Sequence, residues 1–160
     1  QAHPAFLGSH ETKGESMQAQ VLAPAVALVL WSLIMLFWTA GTRLSAMKQA
    51  GGGLDKARPG GRGQDLEGVL PDNVNWKAHN YTHLMEQPTL FYATVAILAI
   101  MGPVAHDVLF AWAYVALRIV HSIWQATVNT IPVRFTLFLL STFCLILLAL
   151  HAAKLTLLAT

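Results

Sequence analysis

The chain has 160 residues, of which 55% are hydrophobic and only 11% are Asp, Glu, Lys or Arg, with a formal net charge of +2. A soluble domain carries about 25% charged residues, so the composition excludes an ordinary soluble protein and predicts one integral membrane domain. The weak charge gives no reason to expect a nucleic-acid partner, and the single cysteine, Cys144, excludes a disulfide within the chain.

The N-terminal region differs in character from the rest of the chain. Residues 1–16 are polar and lack the basic start and short apolar core of a signal peptide, so we expect a flexible tail there. The remaining residues, 17–160, are predicted to form a membrane domain of four helices.

Four segments are long and apolar enough to cross a bilayer, since a span needs about 20 mostly apolar residues. Backbone groups in lipid must be satisfied within their own segment, which favours helices, and the alternating segments of a membrane β-barrel are absent. The predicted spans are about 20–46, 76–101, 105–127 and 131–158. The predicted fold class is therefore an all-α integral membrane protein with a four-helix bundle.

Proline, glycine and capping residues mark the ends of these spans. Pro24 is predicted to lie in the first turn of the first helix, where its missing N–H costs little. Gly102 begins the break between the second and third helices, and Asp107 suits the positive N-terminus of the third. Asn129 or Thr130 is expected to cap the fourth helix.

The connection between the first two spans, residues 48–75, is rich in glycine and basic residues. We expect it to be mobile, and it is not a phosphate-binding loop because no strand precedes it and no Gly-Lys-Ser/Thr follows. Excluding the arginine inside the third span, seven basic residues lie on the side of this loop and two on the side of the termini. The positive-inside rule then predicts a cytoplasmic first loop and both termini outside.

The most informative residues are polar groups inside the second and third spans. A charge at mid-bilayer costs roughly 2.5–3.5 kcal/mol on insertion scales, so it is rarely there without a partner or a function. On the second helix, His79, His83 and Glu86 share one face by their i, i+4, i+7 spacing. The third helix carries a comparable polar face: Arg118, His121, Ser122 and Gln125.

These two polar faces are predicted to meet at one depth inside the bundle. At 1.5 Å per residue, Glu86 lies about 15 Å from Trp76, and Arg118 lies about 16 Å from Asn129 on the same side. We therefore expect Glu86 and Arg118 to pair, with Arg134 at the opening of the pocket.

Two other interpretations of this polar group remain open. One is a structural ion pair that fixes the packing of the helices. The other is a metal site formed by His79, His83, Glu86 and His121, which are ligands of a suitable type. The metal site is disfavoured because Arg118 would repel a dication, so we expect no metal there.

The same segments resemble the MAPEG family, the membrane-associated proteins in eicosanoid and glutathione metabolism. The second helix, HNYTHLMEQPTLFYA, is similar to the family's Asn-x-x-Glu followed by proline and an aromatic-rich run. The third helix and its loop, ALRIVHSIWQATVNTIPVRFTLF, resemble the Arg-x-x-His-Ser, Asn and Arg-Phe pattern of bacterial members. The resemblance covers about Gln18 to Leu158. It implies a homotrimer in a bacterial inner membrane that binds glutathione between protomers, toward the cytoplasmic side.

The resemblance also implies roles for individual residues. Glu86 corresponds to the acid that holds the amino end of glutathione, and His121 to a ligand position on the third helix. Arg43 corresponds to a basic residue that meets a glutathione carboxylate. Arg134 corresponds to the arginine that stabilises the glutathione thiolate, and Arg118 to the buried arginine of the third helix.

Three positions depart from the family pattern. His83 stands where members usually have Asn, His79 where several have Arg, and Gln125 where the eukaryotic synthases have Tyr. The predicted function is a glutathione-dependent transferase or peroxidase activity on lipophilic electrophiles from the bilayer, with the thiolate stabilised by Arg134. Because the family includes a non-catalytic lipid-binding member, the alternative is a lipid-binding or accessory subunit of a larger membrane complex.

Overall fold

The computed structural model describes the backbone of residues 4–56 and 58–158, and the side chains from residue 15 onward within those ranges. The elements are four helices: α1 (Pro4–Gln49), α2 (Asp72–Met101), α3 (Ala105–Thr127) and α4 (Ile131–Leu157). All four contain a stretch long and apolar enough to cross a membrane, and no strand occurs in the described part of the chain. The predicted all-α membrane fold is confirmed, while the sidedness of the loops stays a prediction.

The beginning of α1 differs from what the sequence suggests. The helix starts at Pro4, so residues 4–16 are helical, although we expected a flexible tail over residues 1–16. Extending an existing helix adds one hydrogen bond for each residue fixed, so a polar segment joined to an apolar helix can continue it. Pro24 therefore lies inside α1 rather than in its first turn, and membrane helices tolerate such a proline. Residues 1–3 lie outside the described part.

The connection between α1 and α2 contains two single-turn 3₁₀ helices, Leu54–Lys56 and Gly63–Leu66. Its second half is tied to α2, because the side-chain amide of Asn75 donates to the carbonyl oxygens of Leu66 and Leu70 at 3.3 and 3.2 Å. The predicted mobility of this loop stays a prediction.

The core is a narrow seam between the helices. On α1, Val21, Leu28 and Met35 are fully buried at seven-residue spacing, which places them on one stripe facing the other helices. The centre of the bundle holds the rings of Phe91 and Tyr114, stacked with centroids 4.3 Å apart. Many large apolar side chains elsewhere on the helices are exposed, as expected for surfaces that face lipid or another protein.

The helix ends follow local chemistry. Gly102 closes α2 in the left-handed region, with φ of 98°. The backbone N–H of Val104 donates to Oδ2 of Asp107 at 2.9 Å, so this acid does cap α3. Thr130 is the residue at the start of α4, yet its hydroxyl accepts from the indole N–H of Trp124 at 2.9 Å and does not cap the helix.

Candidate functional site

A cleft of about 360 Å³ lies where α2 and α3 meet the first turns of α4. It is lined by His83, His121, Ile131, Arg134, Phe135 and Phe138. The imidazole rings of His83 and His121 are 5.1 Å apart between centroids, and the ring of Phe138 is 5.6 Å from that of His83. The two imidazoles and the guanidinium can hydrogen-bond a small polar ligand, and the apolar side chains of the cleft can contact an apolar group attached to that ligand or bound beside it. Larger cavities near the α1–α2 loop contain none of the predicted site residues.

The turn between α3 and α4 positions Arg134. Asn129 adopts a left-handed backbone with φ of 60°, a conformation that asparagine tolerates better than most residues. Its Oδ1 accepts a hydrogen bond from Nη1 of Arg134 at 2.7 Å. The buried Nε of Arg134 has no hydrogen-bond partner among the described residues. The guanidinium is thus held in place on one side and keeps a donor unused on another.

The predicted direct pair between Glu86 and Arg118 is wrong, since no ion pair joins these residues in the described part of the chain. His83 lies between them instead. Its Nδ1 is 2.8 Å from Oε2 of Glu86, and its Nε2 is 3.5 Å from Nη1 of Arg118. Because a guanidinium only donates, Nε2 must accept and Nδ1 must carry the proton that is donated to Glu86. The three side chains therefore form a chain with a defined tautomer.

Equal depth led to the wrong pair because depth does not fix direction around a helix. His83 and Glu86 are three residues apart, which separates them by about 60° around α2. The side chain of Glu86 is 62% exposed and points away from the bundle, whereas Arg118 is 1% exposed. His83 points between these directions and meets both.

Arg118 is buried, and no carboxylate contacts it in the described part of the chain. Its Nη2 donates to the backbone carbonyl of His83 at 3.2 Å, and its guanidinium lies 6.0 and 5.9 Å from the ring centroids of Tyr114 and Phe138. Its Nε has no partner among the described residues. The charge is therefore balanced by a carbonyl, an imidazole and aromatic faces, which are weaker partners than an anion.

Five of the eight predicted site residues do not line the cleft: Glu86 and Arg118, described above, and Arg43, His79 and Gln125. Arg43, near the end of α1, donates from Nη2 to the carbonyl oxygen of Gly63 at 3.0 Å. His79 is exposed, and its Nε2 lies 2.9 Å from Oε1 of Glu67. Gln125 is buried on α3, and its Oε1 has no partner in the described part.

The polar faces of α2 and α3 do meet, in part through a residue that we did not predict. Asn80 is fully buried, and its Nδ2 donates to Oγ of Ser122 at 2.7 Å. The indole N–H of Trp31 donates to the same oxygen at 2.9 Å, which ties α1 to the pair. The signal was available, because Asn80 is three residues before His83 and so lies on the same side of α2.

The model of the MAPEG family matches residues 21–154 of this chain. No curated protein and no solved structure matches it. The matched range contains all four membrane helices in large part, and it includes every residue of the cleft.

Proposed function

Because the chain belongs to the MAPEG family, we propose that it is a glutathione-dependent membrane transferase or peroxidase that acts on lipophilic electrophiles. The observation that carries the proposal is the cleft of His83, His121 and Arg134, which combines hydrogen-bonding groups with apolar walls. The family as a whole concerns eicosanoid and glutathione metabolism in membranes, and the cleft is the proposed place for the thiol of glutathione.

Arg134 is the proposed residue that stabilises the thiolate. A free thiol titrates near pKa 8.5, so a lowering of one or two units makes thiolate abundant at neutral pH. The unused N–H and the fixed charge of Arg134 are supported by the positive N-terminus of α4. An arginine cannot accept the proton, because its guanidinium stays charged. His121 lies in the same cleft as the proposed second ligand of glutathione, and the thiol proton is released to water.

We further propose that protomers associate as a homotrimer, with glutathione bound between them. Glu86 supports this, because a carboxylate that is 62% exposed inside a membrane span is costly unless another group covers it. In this arrangement Glu86 holds the amino end of glutathione, and Arg43 meets a carboxylate. We keep the proposed orientation with the first loop in the cytoplasm of a bacterial inner membrane, which places the cleft on the side where glutathione is made.

The thiolate absorbance of bound glutathione, followed against pH, tests the role of Arg134. We expect thiolate at neutral pH in the parent protein. In Arg134→Leu the pKa of the bound thiol should rise by one unit or more, about 1.4 kcal/mol, while glutathione still binds. Arg58→Leu is the matched control, since Arg58 is an exposed arginine on the same side of the bundle. A parent without thiolate, or a thiol that titrates equally in Arg134→Leu, would contradict the proposed chemistry.

The second candidate is a non-catalytic lipid-binding or accessory subunit of a larger membrane complex. It is favoured by one contact, the 2.7 Å hydrogen bond from Arg134 to Asn129, which gives the arginine a structural use in the α3–α4 turn. Thermal unfolding in detergent separates the candidates. Glutathione at 100 times its dissociation constant should stabilise a binding protein by about 2.7 kcal/mol. The absence of any stabilisation would support the accessory subunit.

A further inference from the structure

A second polar cluster lies far from the cleft. His106 and Asp107 stand in the first turn of α3, and His151 reaches them from α4. One ligand atom from each of the three lies within 4.8 Å of the other two. His106 precedes His121 of the cleft by fifteen residues on α3, which corresponds to about 22 Å. The two clusters therefore lie at opposite ends of the bundle.

The geometry points to a binding site for a first-row transition-metal dication, such as Zn²⁺ or Ni²⁺, on His106, Asp107 and His151. Imidazole nitrogen and carboxylate oxygen are ligands that these ions prefer, and a two-histidine, one-carboxylate set leaves further positions for water. We propose this site independently of the glutathione-dependent activity.

The contacts already present fit such an ion. Nδ1 of His151 lies 2.8 Å from Oδ1 and 3.0 Å from Oδ2 of Asp107. With metal–ligand bonds near 2.1 Å, tetrahedral ligands stand about 3.4 Å apart, so the 2.8 Å contact has to open by only about 0.6 Å to admit zinc. The rings of His106 and His151 are 5.3 Å apart between centroids, so the third ligand reaches the same point with a rotation of an exposed side chain.

Burial and orientation also suit a metal site. Asp107 is 1% exposed, and its Oδ2 is fixed by the N–H of Val104, which leaves Oδ1 directed at His151. Such an outer hydrogen bond holds a ligating carboxylate in position. His106 is exposed, so an ion can enter from the surface.

The two clusters differ in the charged groups next to them. Arg134 lines the cleft and Arg118 lies beside it, in contact with His83, and both would repel a dication. At the second cluster, His151 is the only basic side chain paired with Asp107 among the described residues. Because the two imidazoles and the carboxylate bind a dication only in their unprotonated forms, the affinity should fall at low pH.

The test is a calorimetric titration of Zn²⁺ into the full chain, purified in detergent with a tag that contains no histidine. Glutathione is omitted because its thiol binds zinc. We expect one zinc ion per chain. His106→Ala and Asp107→Asn should each weaken binding at least about tenfold, the lower end of what loss of a supporting group costs a metal site. His106→Ala removes an exposed side chain, and Asp107→Asn keeps an oxygen for the cap on Val104, so both variants should fold.

The sequence carries two further histidines near its N-terminus, His3 and His10, and their double replacement by alanine is the matched control. Zinc binding should persist in that control. Three results would overturn the proposal: no saturable binding by the parent, unchanged affinity in His106→Ala, or loss of binding in the N-terminal control.

Discussion

The chain of contacts from Glu86 through His83 to Arg118 can be tested by two double-mutant cycles. One cycle combines Arg118→Met with His83→Ala, and the other combines Arg118→Met with Glu86→Gln. If His83 stands between the two charges, Arg118 should be coupled to His83 and nearly independent of Glu86. A direct ion pair between Arg118 and Glu86 would give the reverse.

The magnitudes follow from the contacts. A hydrogen bond to a charged group contributes about 1.5–3 kcal/mol, and the Arg118–His83 side-chain contact is long at 3.5 Å, so we expect about 1.5 kcal/mol of coupling. The bond from Arg118 to the backbone carbonyl of His83 survives in His83→Ala and does not enter the cycle. Glu86 is 62% exposed and does not contact Arg118, so their coupling should stay below about 1 kcal/mol.

The single change Arg118→Met should destabilise the protein less than removal of one member of a buried ion pair, which costs about 3–5 kcal/mol. The free-energy cost of the lost hydrogen bonds is partly offset, because burying methionine does not require the desolvation of a charge. The assay is reversible unfolding in mixed micelles with increasing sodium dodecyl sulfate. Arg118→Met with Gln125→Ala is the control pair. Gln125 is buried on α3 about 10 Å from Arg118 along the helix, and the hydrogen bonds of Arg118 go to His83, so the two effects should add. If the coupling free energy between Arg118 and Glu86 exceeds that between Arg118 and His83, the arrangement in which the imidazole of His83 lies between the two charges would be refuted.

Asn80→Ala should destabilise the protein by about 0.5–1.5 kcal/mol in the same unfolding assay, because it removes a buried hydrogen bond to Ser122, whose oxygen still accepts from Trp31; an unchanged midpoint would show that the 2.7 Å bond contributes nothing. Gly63→Ala should leave stability within about 0.5 kcal/mol, since its Cβ would displace only the mobile end of Arg43. That displacement should weaken glutathione binding measured by calorimetry, and equal affinity would remove Arg43 from the site. Glu86→Gln should weaken glutathione binding by about 1.5–3 kcal/mol, and a variant that binds like the parent would exclude Glu86 as a ligand.

The fold class could be predicted because the signals are local. Hydropathy over about 20 residues identifies a span, and glycine or an acid at a helix end marks its limit. The third predicted span, 105–127, coincides with α3, which begins with the capping acid Asp107. The start of α1 was missed because hydropathy identifies only the apolar part of a helix, and α1 continues beyond that part to Pro4.

For the candidate site, helical periodicity predicted which residues share a face of one helix, but not which residues of different helices come into contact. The i, i+3, i+4 spacing placed His83 on the polar face of α2 and His121 on that of α3, and these rings do come together, 5.1 Å apart. Arg43, His79 and Gln125 were assigned by the family resemblance or by their helix face, and they lie outside the cleft, as do Glu86 and Arg118.

The amino-acid sequence by itself determined four membrane helices and a polar face on two of them, because both follow from the order of residues along one segment. Only the tertiary structure decided which polar groups touch. Depth along a helix is fixed by residue number, but the direction of a side chain depends on how neighbouring helices pack, so His83 rather than Glu86 meets Arg118. Likewise, Asp107 and His151 are 44 residues apart in the chain and share no periodicity, and they meet only because α3 and α4 pack side by side.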